Sequence, residues 1–202
     1  MTPKILFFDI ETILDESKNR EEIFAKRDTM REELQKQFDF MPEFHQILTI
    51  CVGTEIEEGK IFTKNLEWSE KFQIEKFFEL AEKYPILCGY NIKGFDIPFI
   101  IRRALHLGIK IPNSLKLYGK KPWDMTNFLD LKEVYRHTGM MSASLDVVCY
   151  NLGIPTPKDG IDGSQVQDFH DAKRDNEIIE YCTRDVVATA QVYKKMVELN
   201  LI

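Results

Sequence analysis

No two cysteines in this sequence stand at CxxC spacing. The four thiols, Cys51, Cys88, Cys149 and Cys182, are scattered and have no companion histidines at zinc-site intervals. That excludes a disulfide scaffold or a zinc ribbon and predicts reduced thiols packed in the core of a cytoplasmic protein. Long apolar runs are equally scarce. Lys4 is followed only by Ile5 to Phe8 before Asp9 interrupts, so no signal peptide is expected, and no run approaches the ~20 residues of a membrane span. A surplus of positive charge is also missing. Lys plus Arg number 27 against 33 Asp plus Glu, a formal charge of -6. That excludes a protein whose whole surface grips nucleic acid and leaves room for a local basic groove. Repeats, linkers and low-complexity tracts are absent as well.

What remains is ordinary globular material. Over 202 residues, 44% are hydrophobic and 30% charged, enough to bury a core and consistent with one domain spanning residues 1–202. Lys4 to Glu11 (KILFFDIE) reads as a central strand covered on both faces. Residues from about Asp15 to Gln37 carry charges of both signs, with Ile23, Met30, Leu34 and Phe38 at helical spacing, which predicts an exposed amphipathic helix ended by Pro42. Strands are predicted at Gln46 to Thr54 and Lys60 to Lys64, paired as an antiparallel hairpin across Glu57 to Gly59. A helix over Glu67 to Lys83 follows, then a strand from Ile86 to Asn91 and a helix from Pro98 to about Leu107. A short strand is expected near Trp123-Asp124. Three more helices are predicted at Leu131 to His137, Ser144 to Leu152 and Asp175 to Leu199, the last two separated by the loop Gly153 to Gly163. Strands cluster early and helices flank them, so the class is α/β with a mixed sheet.

Three groups of residues carry chemistry. In Asp9-Ile10-Glu11 the two acids lie two apart at a strand end and project to one face of the sheet. Like charges so close raise each other's pKa unless a cation sits between them; a strand that merely surfaces here is the plainer alternative. Asn91 to Asp96 (NIKGFD) runs from a strand through a glycine turn to a helix start, where Asp96 on its own reads as a helix-terminal acid worth about 1 kcal/mol. Tyr181 and Asp185 stand four apart in the long helix, so hydroxyl and carboxylate share one face.

In combination these segments resemble the ExoI, ExoII and ExoIII motifs of DEDD-type 3'-5' exonucleases. DIET at Asp9 to Thr12, GYNIKGFDIPFI at Gly89 to Ile100 and YCTRDV at Tyr181 to Val186 are most similar to the proofreading exonuclease domain of family B DNA polymerases. Ser144 to Val166 is similar to stand-alone bacterial proteins of the same type. Tyrosine at position 181, with Glu at 180, marks the DEDDy variety. The resemblance implies a ribonuclease H-like fold with a mixed five-stranded sheet, the helical segment at about 15–40 being an insertion. It implies two divalent ions, Mg²⁺ or Mn²⁺, held by Asp9, Glu11, Asp96 and Asp185, and Tyr181 as the residue that orients the attacking water. The implied partner is a nucleic acid with a free 3' end, DNA favoured over RNA, and the products are 5'-mononucleotides. Thr12, Ile13, Asn91 and Phe95 are the implied substrate contacts, with core packing an open alternative for Ile13 and Phe95 and a turn-fixing role for Asn91. Lys116 to Trp123 interleaves lysines with aromatics as a single-strand track would. His45, His106, His137 and His170 fall outside the motifs. Three other readings compete: the same chemistry on RNA, a haloacid dehalogenase-like phosphatase, against which Glu11 and the Tyr181/Asp185 pair argue, and a catalytically silent binding domain. Nothing in the sequence points to a membrane or to a particular protein partner.

Overall fold

The apolar run Ile5–Leu14 is covered on both sides and forms β1, the middle strand of a five-stranded sheet. The structure is a computed structural model that describes residues 4–18, 41–57, 59–116, 118–119, 121, 124, 126–137, 139, 141–158 and 160–202. In chain order the further elements are β2 (His45–Glu57), β3 (Lys60–Leu66), α1 (Glu70–Ala81), β4 (Ile86–Gly89), α2 (Asp96–His106), β5 (Phe128–Asp130), α3 (Leu131–Arg136), α4 (Leu145–Leu152), α5 (Val166–Asp171) and α6 (Asp175–Glu198). The sheet order is β3-β2-β1-β4-β5. The β3-β2-β1 side is antiparallel and the β1-β4-β5 side is parallel, so the sheet is mixed.

The period of two along β1 divides the core. Leu6, Phe8 and Ile10 pack against Ile74 and Phe77 of α1 and Ile97 and Ile100 of α2. Ile5 and Phe7 face Cys182, Val186 and Val192 of α6 and Val148 of α4. Each such side chain contributes ~1.5–3 kcal/mol by leaving water. Asp9 and Glu11 follow Ile5 and Phe7 at the same parity, so the strand that builds the core also delivers two acids beneath α6. Gly53 lets that helix approach, since a Cβ there would lie 2.7 Å from the Val186 side chain.

Near these acids β2 carries one extra residue. The register steps from Glu11 opposite Thr49 to Thr12 opposite Ile47, which leaves Leu48 without a β1 partner. Gln73 of α1, buried, satisfies the disturbed backbone: its Oε1 accepts the Ile50 N–H at 2.9 Å and its Nε2 donates to the Leu48 carbonyl at 3.0 Å. Arg103 of α2 closes the same end of the fold. Its buried guanidinium donates to Glu70, to Asp15 and to the Pro42 carbonyl, so it ties Asp15 and Pro42 to α1 and α2.

Several predicted boundaries shift. α2 begins at Asp96 rather than Pro98, and the last strand lies at Phe128–Asp130, past the predicted position, of which Asp124 is not in a strand and Trp123 lies outside the described residues. Only three residues pair there, because Asp130 at once turns to cap α3, accepting the Lys132 N–H at 3.0 Å. The loop after α4 ends in a 3-10 turn, Gly163–Gln165, that leads into α5, an element the sequence reading left out. The helix expected from Asp15 to Gln37 falls, from residue 19 on, outside the described residues.

Candidate active site

β1 supplies Asp9 and Glu11, and α6 supplies Asp185. One carboxylate oxygen from each lies within 4.8 Å of the other two. Asp9 and Asp185 are half-buried, while Glu11 is buried. Asp96 stands beside this cluster rather than in it. As the first residue of α2 it is buried, and its Oδ1 accepts the backbone N–H of Ile10 at 3.2 Å. That N–H is available because the parallel β1-β4 ladder stops at Phe7 opposite Cys88. Beyond it the chain leaves the sheet at Gly89, where a Cβ would lie 2.9 Å from the Phe8 carbonyl. The helix-terminal reading of Asp96 is thus only half the account: its carboxylate is directed onto the strand between the other two acids.

The four acids load one another. Burial, then Asp185, Asp96 and Glu11, pushes the Asp9 carboxyl well above the ordinary aspartate range, against the Cys182 thiol, which holds it down. Burial, with Asp185 and Asp96, raises Glu11 likewise. Asp96 is pushed up to about 7 by burial, with Asp130 and Asp185 adding to the rise and the backbone N–H groups of Asp96 and Ile10 opposing it. Asp185 also reaches about 7 through burial, although a hydrogen bond from Tyr181 and the charges of Arg184 and Lys158 hold it down. Among the described residues none of these four carboxylates forms a salt bridge. Hard oxygen donors with no salt-bridged cation among the described residues, on three approaching chain segments, are the donor set of Mg²⁺ or Mn²⁺, so the residues present fit such an ion.

Tyr181 is buried one helical turn from Asp185; burial, then the charges of Asp185, Glu11 and Asp9, raises its hydroxyl pKa, so it is protonated at neutral pH. A cleft of about 570 Å³ opens on this constellation, lined by Asp9, Glu11, Tyr181 and Asp185 and by Thr12 and Phe95. Ile13 instead packs in a small core with Ile178 and Tyr181. Asn91, at φ 72°, shapes the turn after β4: its N–H donates to Asp130 at 2.9 Å and its Oδ1 accepts from Lys132 at 3.3 Å. Of the Lys116 to Trp123 stretch, Tyr118 is fully exposed, while Leu117, Lys120, Pro122 and Trp123 lie outside the described residues.

Sequence reasoning missed six contributors. Cys182, read there as a plain core thiol, reaches the Asp9 Oδ2 at 3.4 Å. Asp130 accepts the N–H groups of Asn91 and Lys93 and so fixes the turn that carries Phe95 and Asp96; its signal was Asp130-Leu-Lys-Glu133, an acid three before a glutamate at a helix start. His45 lines the cleft, its Nδ1 3.3 Å from the Met41 carbonyl. Gly163, Ser164 and Gln167 form the opposite wall, and the Gln167 Oε1 accepts the Leu14 N–H at 2.8 Å.

A family profile described as "Predicted 3'-5' exonuclease related to the exonuclease domain of PolB" matches residues 38–200, and the chain belongs to that family. The match takes in Asp96, Tyr181 and Asp185; Asp9 and Glu11 lie ahead of it and reach the site through the sheet. An uncharacterized protein of Methanocaldococcus jannaschii, MJ0365, is 27% identical over 175 residues, covering 80% of this chain and 91% of that protein. The structure of the family B DNA polymerase from the hyperthermophilic archaeon Pyrobaculum calidifontis superposes on the whole chain with a TM-score of 0.68 at 19% identity. The chain spans 25% of that polymerase's length. The mixed five-stranded sheet flanked by helices is therefore the ribonuclease H-like fold of a PolB exonuclease domain.

Proposed function

We infer that the protein is a metal-dependent 3'-5' exonuclease that removes 5'-mononucleotides from the 3' end of a DNA strand, and that residues 1–202 form one such domain. The observation that carries this reading is the convergence of Asp9, Glu11 and Asp185 within 4.8 Å, with Asp96 bonded to the strand between the first two. Asp9, Glu11 and Asp185 would hold one divalent ion, and Asp9 with Asp96 a second. Such ions lower the pKa of bound water and offset charge on the attacking and leaving oxygens of a phosphodiester. The chain's own residues do the rest. Tyr181, protonated and one helical turn from Asp185, orients the attacking water by hydrogen bond rather than taking its proton. Thr12 and Phe95 flank the acids and suit the sugar and base of the terminal nucleotide, the first by hydrogen bond and the second by stacking. A silent scaffold has no use for four mutually repelling acids in one place, since each raises the cost of ionising the others.

The test is incubation of 5'-labelled single-stranded DNA, and RNA of the same sequence, with Mg²⁺, Mn²⁺ or EDTA, beside Asp9→Ala. The expected result is a metal-dependent ladder that shortens from the 3' end on DNA and is absent in the variant. Shortening of RNA alone would replace the substrate and keep the chemistry. No cleavage of either strand by the folded wild type would reject the reading.

A further inference from the structure

Three neighbouring strands present a polar row to α6. Asp9 of β1 stands opposite Cys51 of β2, and Cys51 stands opposite Asn65 of β3. Residues directly opposite one another project to one face, so Asp9, Cys51 and Asn65 all turn toward the helix. Two consecutive residues of α6 sit on this row. The Cys182 thiol lies 3.4 Å from the Asp9 Oδ2 and 3.5 Å from the Asp9 carbonyl. The Thr183 hydroxyl accepts from the Asn65 Nδ2 at 3.1 Å, with the Cys51 thiol 3.7 Å away. Its single hydrogen goes to the Ile179 carbonyl, one turn back in the helix, at 2.8 Å rather than to the Asn65 Oδ1 at 3.4 Å.

Beyond the row, Val186 lies over Gly53, and Ala190 and Val192 join the core that holds Ile5 and Phe7. Apolar burial is non-directional, so it sets how close α6 lies to the sheet. Hydrogen bonds are directional, so those at Cys182 and Thr183 set where the helix stands along its axis. That position governs the acids. Asp9 and Glu11 belong to the sheet, whereas Asp185 belongs to the helix, two residues or about 3 Å beyond Thr183. The three carboxylates come within 4.8 Å of one another, and a site of this kind works only while its groups hold to within about 0.5 Å. The Cys182 thiol is a weak donor. Asn65 supplies the stronger amide bond, from a strand that carries none of the acids.

We propose that Asn65 is a positioning residue: through Thr183 it fixes the axial position of α6 and so holds Asp185 in reach of the ion that Asp9 and Glu11 bind. The proposal rests on the divalent-ion site of the exonuclease reading, and its test is one of ion binding so that the two are decided separately.

Mn²⁺ alone, titrated into the protein without nucleic acid and followed by the electron paramagnetic resonance of the free ion, reads the spacing of the acids. Thr183→Val keeps the branched shape and removes the hydroxyl, while Asn65→Ala removes the amide. Each is expected to raise the Mn²⁺ dissociation constant about tenfold, at a temperature well below every melting midpoint and with unchanged far-UV circular dichroism. Thr183→Ser, which restores the hydroxyl, is expected to bring it back to within about twofold of wild type. The double variant should bind no more weakly than either single one, because the two residues act through one bond. Mn²⁺ binding unchanged in both single variants, even beside a lower melting temperature, would make the pair merely structural and overturn the proposal. Absence of Mn²⁺ binding by the wild type would reject the ion site and the proposal together. Wild-type Mn²⁺ binding without hydrolysis of single-stranded DNA would reject the exonuclease reading alone, and the binding constants would still decide the role of Asn65.

Discussion

Asp9 concentrates the chemistry into one side chain. It faces three other carboxylates, and among the described residues its one side-chain donor is the Cys182 thiol at 3.4 Å. A thiol is a weak, uncharged donor: it can fix the carboxylate's orientation without competing strongly for a lone pair. Cys182→Ala is therefore expected to raise the Mn²⁺ concentration for half-maximal activity several-fold while leaving the rate at saturating metal near wild type, as a metal titration would read. Asp9→Ala and Asp185→Ala should each lower turnover at least a thousandfold, about 4 kcal/mol in barrier, with unchanged far-UV circular dichroism. Tyr181→Phe keeps the ring in its pocket and removes only the hydroxyl; single-turnover rates should fall roughly a hundredfold. Near-native rates in the aspartate variants would remove them from the mechanism. The motif acids were legible in the sequence because strand parity and helical spacing fix the relative directions of Asp9 and Glu11, and of Tyr181 and Asp185. Cys182 was not, because it acts through a tertiary contact that no local spacing announces, and for Asp130 the local spacing announces only its helix cap, not its bonds to Asn91 and Lys93.

At the scale of elements, the site depends on how β1 and β2 are held at its mouth. Gln73 and Glu70, one turn apart on α1, accept the N–H groups of Ile50 and Ile47 around the extra residue in β2, and Arg103 then binds Glu70 and Asp15 together. Arg103→Met leaves two carboxylates, each only 10% exposed, without their cation. A loss of about 3–5 kcal/mol in urea unfolding is expected, with the loss of activity no larger than the loss of folded protein at working temperature. A change below about 1 kcal/mol would show that Arg103 is not the anchor described. The long elements β1, α1, α2 and α6 could be read from the sequence because each sustains a hydrophobic period over ten or more residues. β5 and α5, with three and six residues, are too short for a period to show, and the bulge in β2 has no local signature, since the amide that satisfies it, Gln73, comes from another element.

For the molecule as a whole, the mixed sheet places acids from the middle strand and from the face of α6 at one point, with the acid at the start of α2 beside them, and this arrangement makes stability depend on pH. Unfolded aspartates titrate near 3.9, whereas Asp96 and Asp185 are pushed up to about 7 in the fold and Asp9 and Glu11 are raised as well. Between about pH 4 and 7 the folded protein therefore binds more protons than the unfolded chain, and its stability falls as pH rises through that window. In EDTA the melting temperature should be lower at pH 8 than at pH 6, and Mn²⁺ should raise it more at pH 8, where fewer protons must leave the site. A melting temperature that rises with pH in EDTA would contradict the charge arrangement. The fold class was legible in the order of strands and helices, and the fold match to a polymerase exonuclease domain agrees with it. The most direct measurement is mass analysis of the products released from single-stranded DNA in ¹⁸O-water with Mn²⁺. The account predicts nucleoside 5'-monophosphates that each carry one ¹⁸O, released in order from the 3' end. Internal fragments, 3'-monophosphates or products without the label would contradict it.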